Sequence, residues 1–401
     1  MKKRLPFVMI AFMTAAALAS QEKFEVAVVN IAVPVRVMAG NQFVDDLTIA
    51  DFQVLENLVP QKIQAVYLVR KASIERREAL QEQNPATSRN FYLLFQMTEY
   101  NPKLADMIDY LFDQVLLPGD TMVIQTPLKS YSLTPEALAK KPKKMLAEEM
   151  NNLLKKDIKT GNTEYNSLLN ELKRIVRNIS GTSTRGDTES DSTSAMFGME
   201  FMLNRYRETL ERMENQRLID ERKIFHFAQA LKRAEGQKNV FFIYQREFRP
   251  EMPSNLLNTL QDLSQDQPGI MSNLQDLFQF YSRDVTLNIE LLKKAFADAS
   301  VNFNFIFMNK QPENVAGVTM REQSEDIYKA FSQVAKATGG IVETSQNPAD
   351  GFKSAIESSD TYYLLYYSPE NYRQDKQFKN IIVRVKNQDY SVFHRLGYFA
   401  N

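Results

Sequence analysis

The sequence predicts an α/β protein: a mostly parallel sheet with helices on both faces and helical insertions, plus a small β-sandwich formed by the two ends of the chain. Three observations predict it. Phe91-Tyr92-Leu93-Leu94-Phe95 is apolar at every position, the mark of a strand covered on both faces. Such runs alternate with segments whose apolar residues recur at three- and four-residue spacing, which is amphipathic-helix periodicity. Strand-like segments with no helix between them stand at both chain ends, each too few to hide its own apolar face.

The elements follow in order. Residues 24–37 contain Ile31, Val33, Val35 and Val37 in strict alternation, a strand with one buried face, and Pro34 suits an edge or a bulge. Asp51–Glu56 and Lys62–Tyr67 read as two further strands. Glu75 to Ser88 is polar and ends in Asn-Pro-Ala-Thr-Ser, so 73–89 is assigned as a linker. After the 91–95 strand comes a helix carrying Leu104, Met107, Ile108, Leu111, Phe112 and Val115. Strands are expected at Thr121–Gln125, Lys129–Leu133, Asn239–Tyr244, Val301–Met308 and Gly340–Thr344, with helices over about 286–299 and 322–337. A sheet of this kind, wrapped on both faces, is the usual product of buried strands alternating with helices.

Two charged helical stretches interrupt the pattern, about 164–235 and 250–285, and are assigned as insertions. In the first, Ser180 to Ser194 reads as a loop and Phe201 to Ala234 as one long helix. After residue 360 the β pattern returns with Tyr362–Tyr367, Phe378–Val385 and Ser391–Phe393. The division is therefore a signal peptide (1–19), an N-terminal β segment (20–72), the linker, the parallel-sheet domain (90–359) and a C-terminal β segment (360–401) that completes the sandwich.

Lys2, Lys3 and Arg4 precede an apolar run from Leu5 to Leu18, closed by the small-x-small pattern Ala17-Leu18-Ala19. This is a secretory signal, so the chain is expected to be exported to the periplasm, the cell surface or the medium, with no membrane span in the mature protein. Lys+Arg and Asp+Glu both total 49, which gives no basic excess for nucleic acid. Cysteine is absent, which removes disulfides, thiolate metal sites and cysteine nucleophiles. The only histidines, His226 and His394, are read as structural. Asp45-Asp46, Arg185-Gly186-Asp187, Thr338-Gly339-Gly340 and Lys140–Lys144 each carry a blander reading as surface or turn.

Val33-Pro34-Val35-Arg36-Val37, Asp51–Glu56 and Pro60–Ile63, taken with Ala335–Gly340, Tyr362–Pro369, Phe378–Val385 and Arg395–Phe399, resemble the bacterial VWFA-related domain family. The resemblance covers most of the mature chain outside the insertions. It implies a von Willebrand A domain, whose metal-ion-dependent adhesion site places an Asp-x-Ser-x-Ser turn after the first strand, a Thr from a later loop and an Asp after the fourth strand around Mg²⁺. Here Gln96, Thr98 and Tyr100 stand at the turn positions, Thr163 at the later loop and Gln245 at the second acid. Both acids are amides, which bring no charge to balance a divalent cation. The resemblance therefore implies a degenerate site with no metal and no cofactor. Its residues either form a polar cluster that reads a ligand or only bond one another and cap loops.

Three functions compete. A non-enzymatic protein-binding or scaffold module stands first, using the carboxyl-end loops. A structural or assembly factor of an envelope complex, acting through the helical insertions, stands second. An extracytoplasmic hydrolase stands last, because no nucleophile motif, phosphate loop or histidine cluster is present.

Overall fold

The computed structural model describes residues 29–184, 192–217, 220–281, 287–370 and 372–400. Six strands form the central sheet: Arg89–Gln96, Thr121–Gln125, Ser130–Leu133, Gln237–Gln245, Asn302–Met308 and Val342–Ser345. Numbered in chain order, they lie 3-2-1-4-5-6 across the sheet, the order of doubly wound α/β sheets. All pairings are parallel except that of Ser130–Leu133, which returns antiparallel along the edge. Ile243 lies between Phe95 and Ile306, in the most enclosed part of the sheet.

Side-chain alternation sends these apolar runs to two cores. On one face Phe91, Leu93, Phe95, Phe241 and Ile243 meet Met107, Ile108 and Phe112 of the Leu104–Tyr110 helix and its extension, Leu154 of Lys143–Gly161, and Phe352 of Pro348–Ser359. On the other, Val240, Phe242, Phe305 and Phe307 meet Leu231 of Glu221–Arg233, Phe296 of Ile289–Asp298 and Phe331 of Glu325–Ala337. The expected 104–115 helix widens into a π-helical turn at Leu111–Val115, where Leu116 N–H reaches back 3.0 Å to Leu111 O.

The chain ends interleave in two antiparallel sheets. Ile31–Ala39 runs between Thr361–Tyr367 and Ser391–His394, so that Val35 faces Tyr363 on one side and His394 on the other. The opposing sheet joins Phe52–Glu56 to Phe378–Val385. Val33, Val35, Val54, Tyr363, Tyr367, Ile381 and Val383 fill the space between the sheets. Strand alternation splits the tyrosines: Tyr363 and Tyr367 enter this core, while Tyr362 and Tyr366 face the seam with the parallel sheet.

One boundary needs correction. Ser73–Ala79, expected to open the linker, is an edge strand paired antiparallel with Ile63–Arg70. An edge strand needs partners on one side only, and Glu75, Arg76, Arg77 and Glu78 are the charges that keep such an edge from pairing with another chain. Its polarity is that of an exposed strand.

The insertions fold onto each other. Lys143–Gly161 and Thr163–Thr184 meet end to end at Asn162, and Ser192–Arg217 and Glu221–Arg233 replace the single long helix expected over 201–234. Asp220 supplies the reason for the second start: its carboxylate caps the N–H groups of Arg222 and Lys223. Leu172, Val176, Leu203, Tyr206, Leu274 and Leu277 form a core separate from those of the sheet. The signal segment and Arg185-Gly186-Asp187 lie outside the described residues. Among those described, no helix is long and apolar enough to cross a membrane.

Two features lock the sandwich to the parallel sheet. Gln237 Nε2 donates to Lys71 O (2.7 Å), and Leu396 N–H to Ala337 O (2.7 Å). Gly236, at φ +77°, lets the chain pass so close to Ser88 that a Cβ would stand 2.3 Å from its carbonyl oxygen. Gly236→Ala should therefore cost about 2 kcal/mol or more in a denaturant titration, from the strained φ and the clash together.

His394 is structural here. Its Nε2 accepts from Val383 N–H at 3.2 Å, and Nδ1 lies 2.9 Å from Arg395 O. Burial lowers its pKa from the ordinary 6.5, because charging the ring would remove it from water. The unfolded chain then binds the proton first. Stability should decline as pH falls below about 6.5 and level off below the folded-state value. Unfolding titrations between pH 7 and 5 should show this slope, and His394→Gln should reduce it. His226 is exposed on its helix.

Candidate functional site

Ligands of doubly wound sheets gather beyond the carboxyl ends of the strands, where the strand order reverses. That reversal lies between Arg89–Gln96 and Gln237–Gln245, which are adjacent and parallel. Gln96 and Gln245 end these two strands, so the fold itself brings the 96–100 turn against Gln245.

Gln245 is buried, and its Oε1 is a three-way acceptor. Thr98 N–H donates to it at 3.0 Å, Thr98 Oγ1 at 3.0 Å and Glu99 N–H at 2.9 Å. A neutral amide oxygen thus gathers the donors of the turn. A cation placed on this oxygen would have to displace three hydrogen bonds without gaining a counter-charge.

The other residues divide. Thr98 is buried in this clasp, whereas Gln96 is exposed at the strand end. Tyr100 packs its half-buried ring against the core beneath the sheet, and its hydroxyl is held above the usual tyrosine range first by burial, then by Asp106 and Asp109. Glu99 turns outward to pair with Lys310 Nζ at 2.5 Å. Thr163 is not part of the cluster. The expected loop at 161–163 is a junction of two helices, and Thr163 Oγ1 is spent on Thr160 O (2.9 Å) and Lys159 O (3.3 Å) of the preceding turn.

Its neighbour takes the place instead. Asn162 is buried, and its Nδ2 donates to Met97 O and Ile158 O, both at 2.7 Å. One helix turn earlier, Asp157 is fully buried, accepting from Tyr131 Oη (2.7 Å) and Thr126 Oγ1 (3.0 Å). Tyr131 is pushed up to about 12, by burial first and then by its bond to this carboxylate and the carboxylate's charge. In the sequence Asn162 is marked only as the neighbour of Thr163 in the Gly161-Asn162-Thr163 step, and Asp157 sits within a charged run that carries no signal.

Among the described residues, no three His, Cys, Asp or Glu side chains cluster so as to hold a metal ion. Asp45 and Asp46 are exposed on a sandwich loop, where Asp45 lies 3.6 Å from Arg70. The arrangement can hold a turn rigid and present its rim, Gln96 and the Glu99–Lys310 pair, to a partner.

No protein-family model matches the chain, and no curated protein matches it. Among solved structures, the chain is similar to the crystal structure of the human COPII-coat protein Sec24c, at 8% identity and a TM-score of 0.32. That alignment covers 79% of this chain and 44% of the other, so the chain spans less than half of its length.

Proposed function

We propose that this chain is an exported, non-enzymatic protein-binding module on a von Willebrand A-like sheet, in which an amide clasp stands where the family holds a metal. The observation that carries the reading is the saturated Oε1 of Gln245 at the strand-order reversal. In a metal-dependent adhesion domain the cation supplies both the shape of the turn and a direct bond to the partner. Here the amide holds the turn, and contact falls to the exposed rim around Gln96 and Glu99. Standard protein–protein contacts need no cation when shape and polar complementarity are built in.

A second reading, an assembly factor acting through its helical insertions, has its own support. Phe197 and Phe201, one helix turn apart on Ser192–Arg217, are 69% and 65% exposed, and paired exposed aromatics mark contact surfaces.

Affinity capture with the immobilised chain from envelope extract, in Mg²⁺ and in chelator, tests the proposal. The expected partner is retained in chelator and lost with Gln96→Arg. Loss with Phe197→Asp/Phe201→Asp alone would move the reading to the insertions. Loss in chelator would contradict the metal-independent clasp.

A further inference from the structure

The seam between the sandwich and the amino-terminal end of the parallel sheet encloses a cavity of about 320 Å³. It lies at the opposite end of the strands from the Gln245 clasp, beside Lys238, Asn239 and Asn302 at the strand starts. One wall is the outer face of the sandwich and is apolar: Pro34, Tyr362, Leu364 and Tyr366. Three cations also line it, Arg36 and Arg395 from the sandwich segments and Lys238 from the parallel sheet, at 7%, 7% and 8% exposure.

No Asp or Glu is among the residues lining this cavity. The cations are held by neutral oxygens instead. Arg36 donates to Ser358 O at 2.9 Å and to Gly339 O. Arg395 donates to Ala32 O at 2.7 Å and Ala297 O at 3.4 Å, and its buried Nε meets no acceptor. Lys238 Nζ reaches Ala234 O at 3.2 Å. Carbonyls satisfy N–H groups but leave the charge unbalanced. Asp298 acts on Lys238 and Arg395 from outside the lining, yet its two oxygens are engaged by Lys232 (2.7 Å) and Phe399 N–H (2.9 Å).

Three buried cations around one cavity are costly unless an anion joins them. The ammonium of Lys238 shows that cost: burial first, then the nearby Arg395, lowers it to about 8. Arg36 is lowered to about 10 by burial. Two arginines and a lysine offer the donor set that binds carboxylates and phosphates. The volume is at the small end of ligand cavities, which span roughly 300–1,000 Å³, and is far too small for a polymer.

We propose that this seam cavity binds a small organic anion, its carboxylate or phosphate head against Arg36, Lys238 and Arg395 and its apolar body against Pro34, Leu364 and the rings of Tyr362 and Tyr366. The site is independent of the binding surface at the other end of the sheet. A ligand here would bridge the two halves of the fold and raise the stability of their union.

Titration calorimetry and thermal unfolding of the full chain test this with four probes: phenyl phosphate, benzoate, inorganic phosphate and benzyl alcohol. Phenyl phosphate or benzoate should bind once per chain and raise the melting midpoint, with inorganic phosphate at least tenfold weaker and benzyl alcohol without effect. Lys238→Met should weaken the organic anion at least tenfold while the unliganded protein melts no lower, since an uncompensated charge has been removed. Lys238→Arg should retain binding, and Arg36→Gln provides a second charge removal should Lys238→Met fail to fold. The proposal is overturned if neither organic anion binds at millimolar concentration, if benzyl alcohol binds as tightly, if inorganic phosphate matches phenyl phosphate, or if both charge removals bind unchanged.

Discussion

Asp120→Ala should lower the free energy of unfolding by about 3–5 kcal/mol, the cost of stranding a buried charge. Arg89 and Asp120 are 2% exposed each, and form a two-point pair: Nε to Oδ1 at 3.1 Å and Nη2 to Oδ2 at 2.5 Å. The pair sits where the first parallel strand begins. Arg89 also donates to Val115 O (2.7 Å), and Asp120 Oδ2 accepts Leu117 N–H (2.7 Å), so both ends tie the strand to the turn after the first helix. Arg89 Nη1 further approaches Asp360 Oδ1 at 3.7 Å, at the entry to the last sandwich segment. Alanine leaves the guanidinium buried with neutral acceptors and the weaker Asp360 contact. Guanidinium titration measures the loss. Arg89→Met with Asp120→Leu should cost less than either single change, because no charge is then left unpaired.

Gln245→Leu should cost about 2–4 kcal/mol, as it strips one acceptor from three donors. Thr98 N–H, Thr98 Oγ–H and Glu99 N–H would then be left at a buried strand end. Hydrogen exchange gives the sharper reading: the amides of Thr98 and Glu99 should lose protection while those within the 237–245 strand keep theirs. Adding Thr98→Val should recover part of the stability by removing one orphaned hydroxyl. If Gln245→Leu leaves stability and exchange unchanged, the amide does not hold the turn.

The parallel sheet was legible because its strands are buried. Phe91–Phe95 and Val301–Met308 are apolar at nearly every position, and few other structures need that. Helix periodicity placed 289–298 and 325–337 within a few residues of the expected bounds. Ser73–Ala79 was not legible: an exposed edge strand lacks the apolar face that marks a strand, and only its pairing with Ile63–Arg70 reveals it. Of the candidate positions, Thr98 and Gln245 meet in one hydrogen-bonded clasp because the adjacent parallel strands fix where their ends lie, whereas Gln96 stays exposed and Tyr100 packs into the core. Thr163 was misplaced because its position depends on whether residues 161–163 form a loop or a helix junction, which tertiary packing decides. Gly161 shows this packing: a Cβ there would stand 2.9 Å from Pro127 Cβ. The cationic seam drew on residues from 36 to 395, and no local pattern joins Arg36, Lys238 and Arg395.

The measurement that tests the central account most directly is a Mg²⁺ titration of the full chain, followed by calorimetry and by the melting midpoint, with Gln245→Leu alongside. A metal-independent clasp predicts no stoichiometric heat and no Mg²⁺-dependent rise in the midpoint, because Gln245 Oε1 is already engaged by three donors of the 96–100 turn. One Mg²⁺ bound per chain, with a stabilisation that Gln245→Leu abolishes, would contradict it and return the strand ends to metal-dependent adhesion.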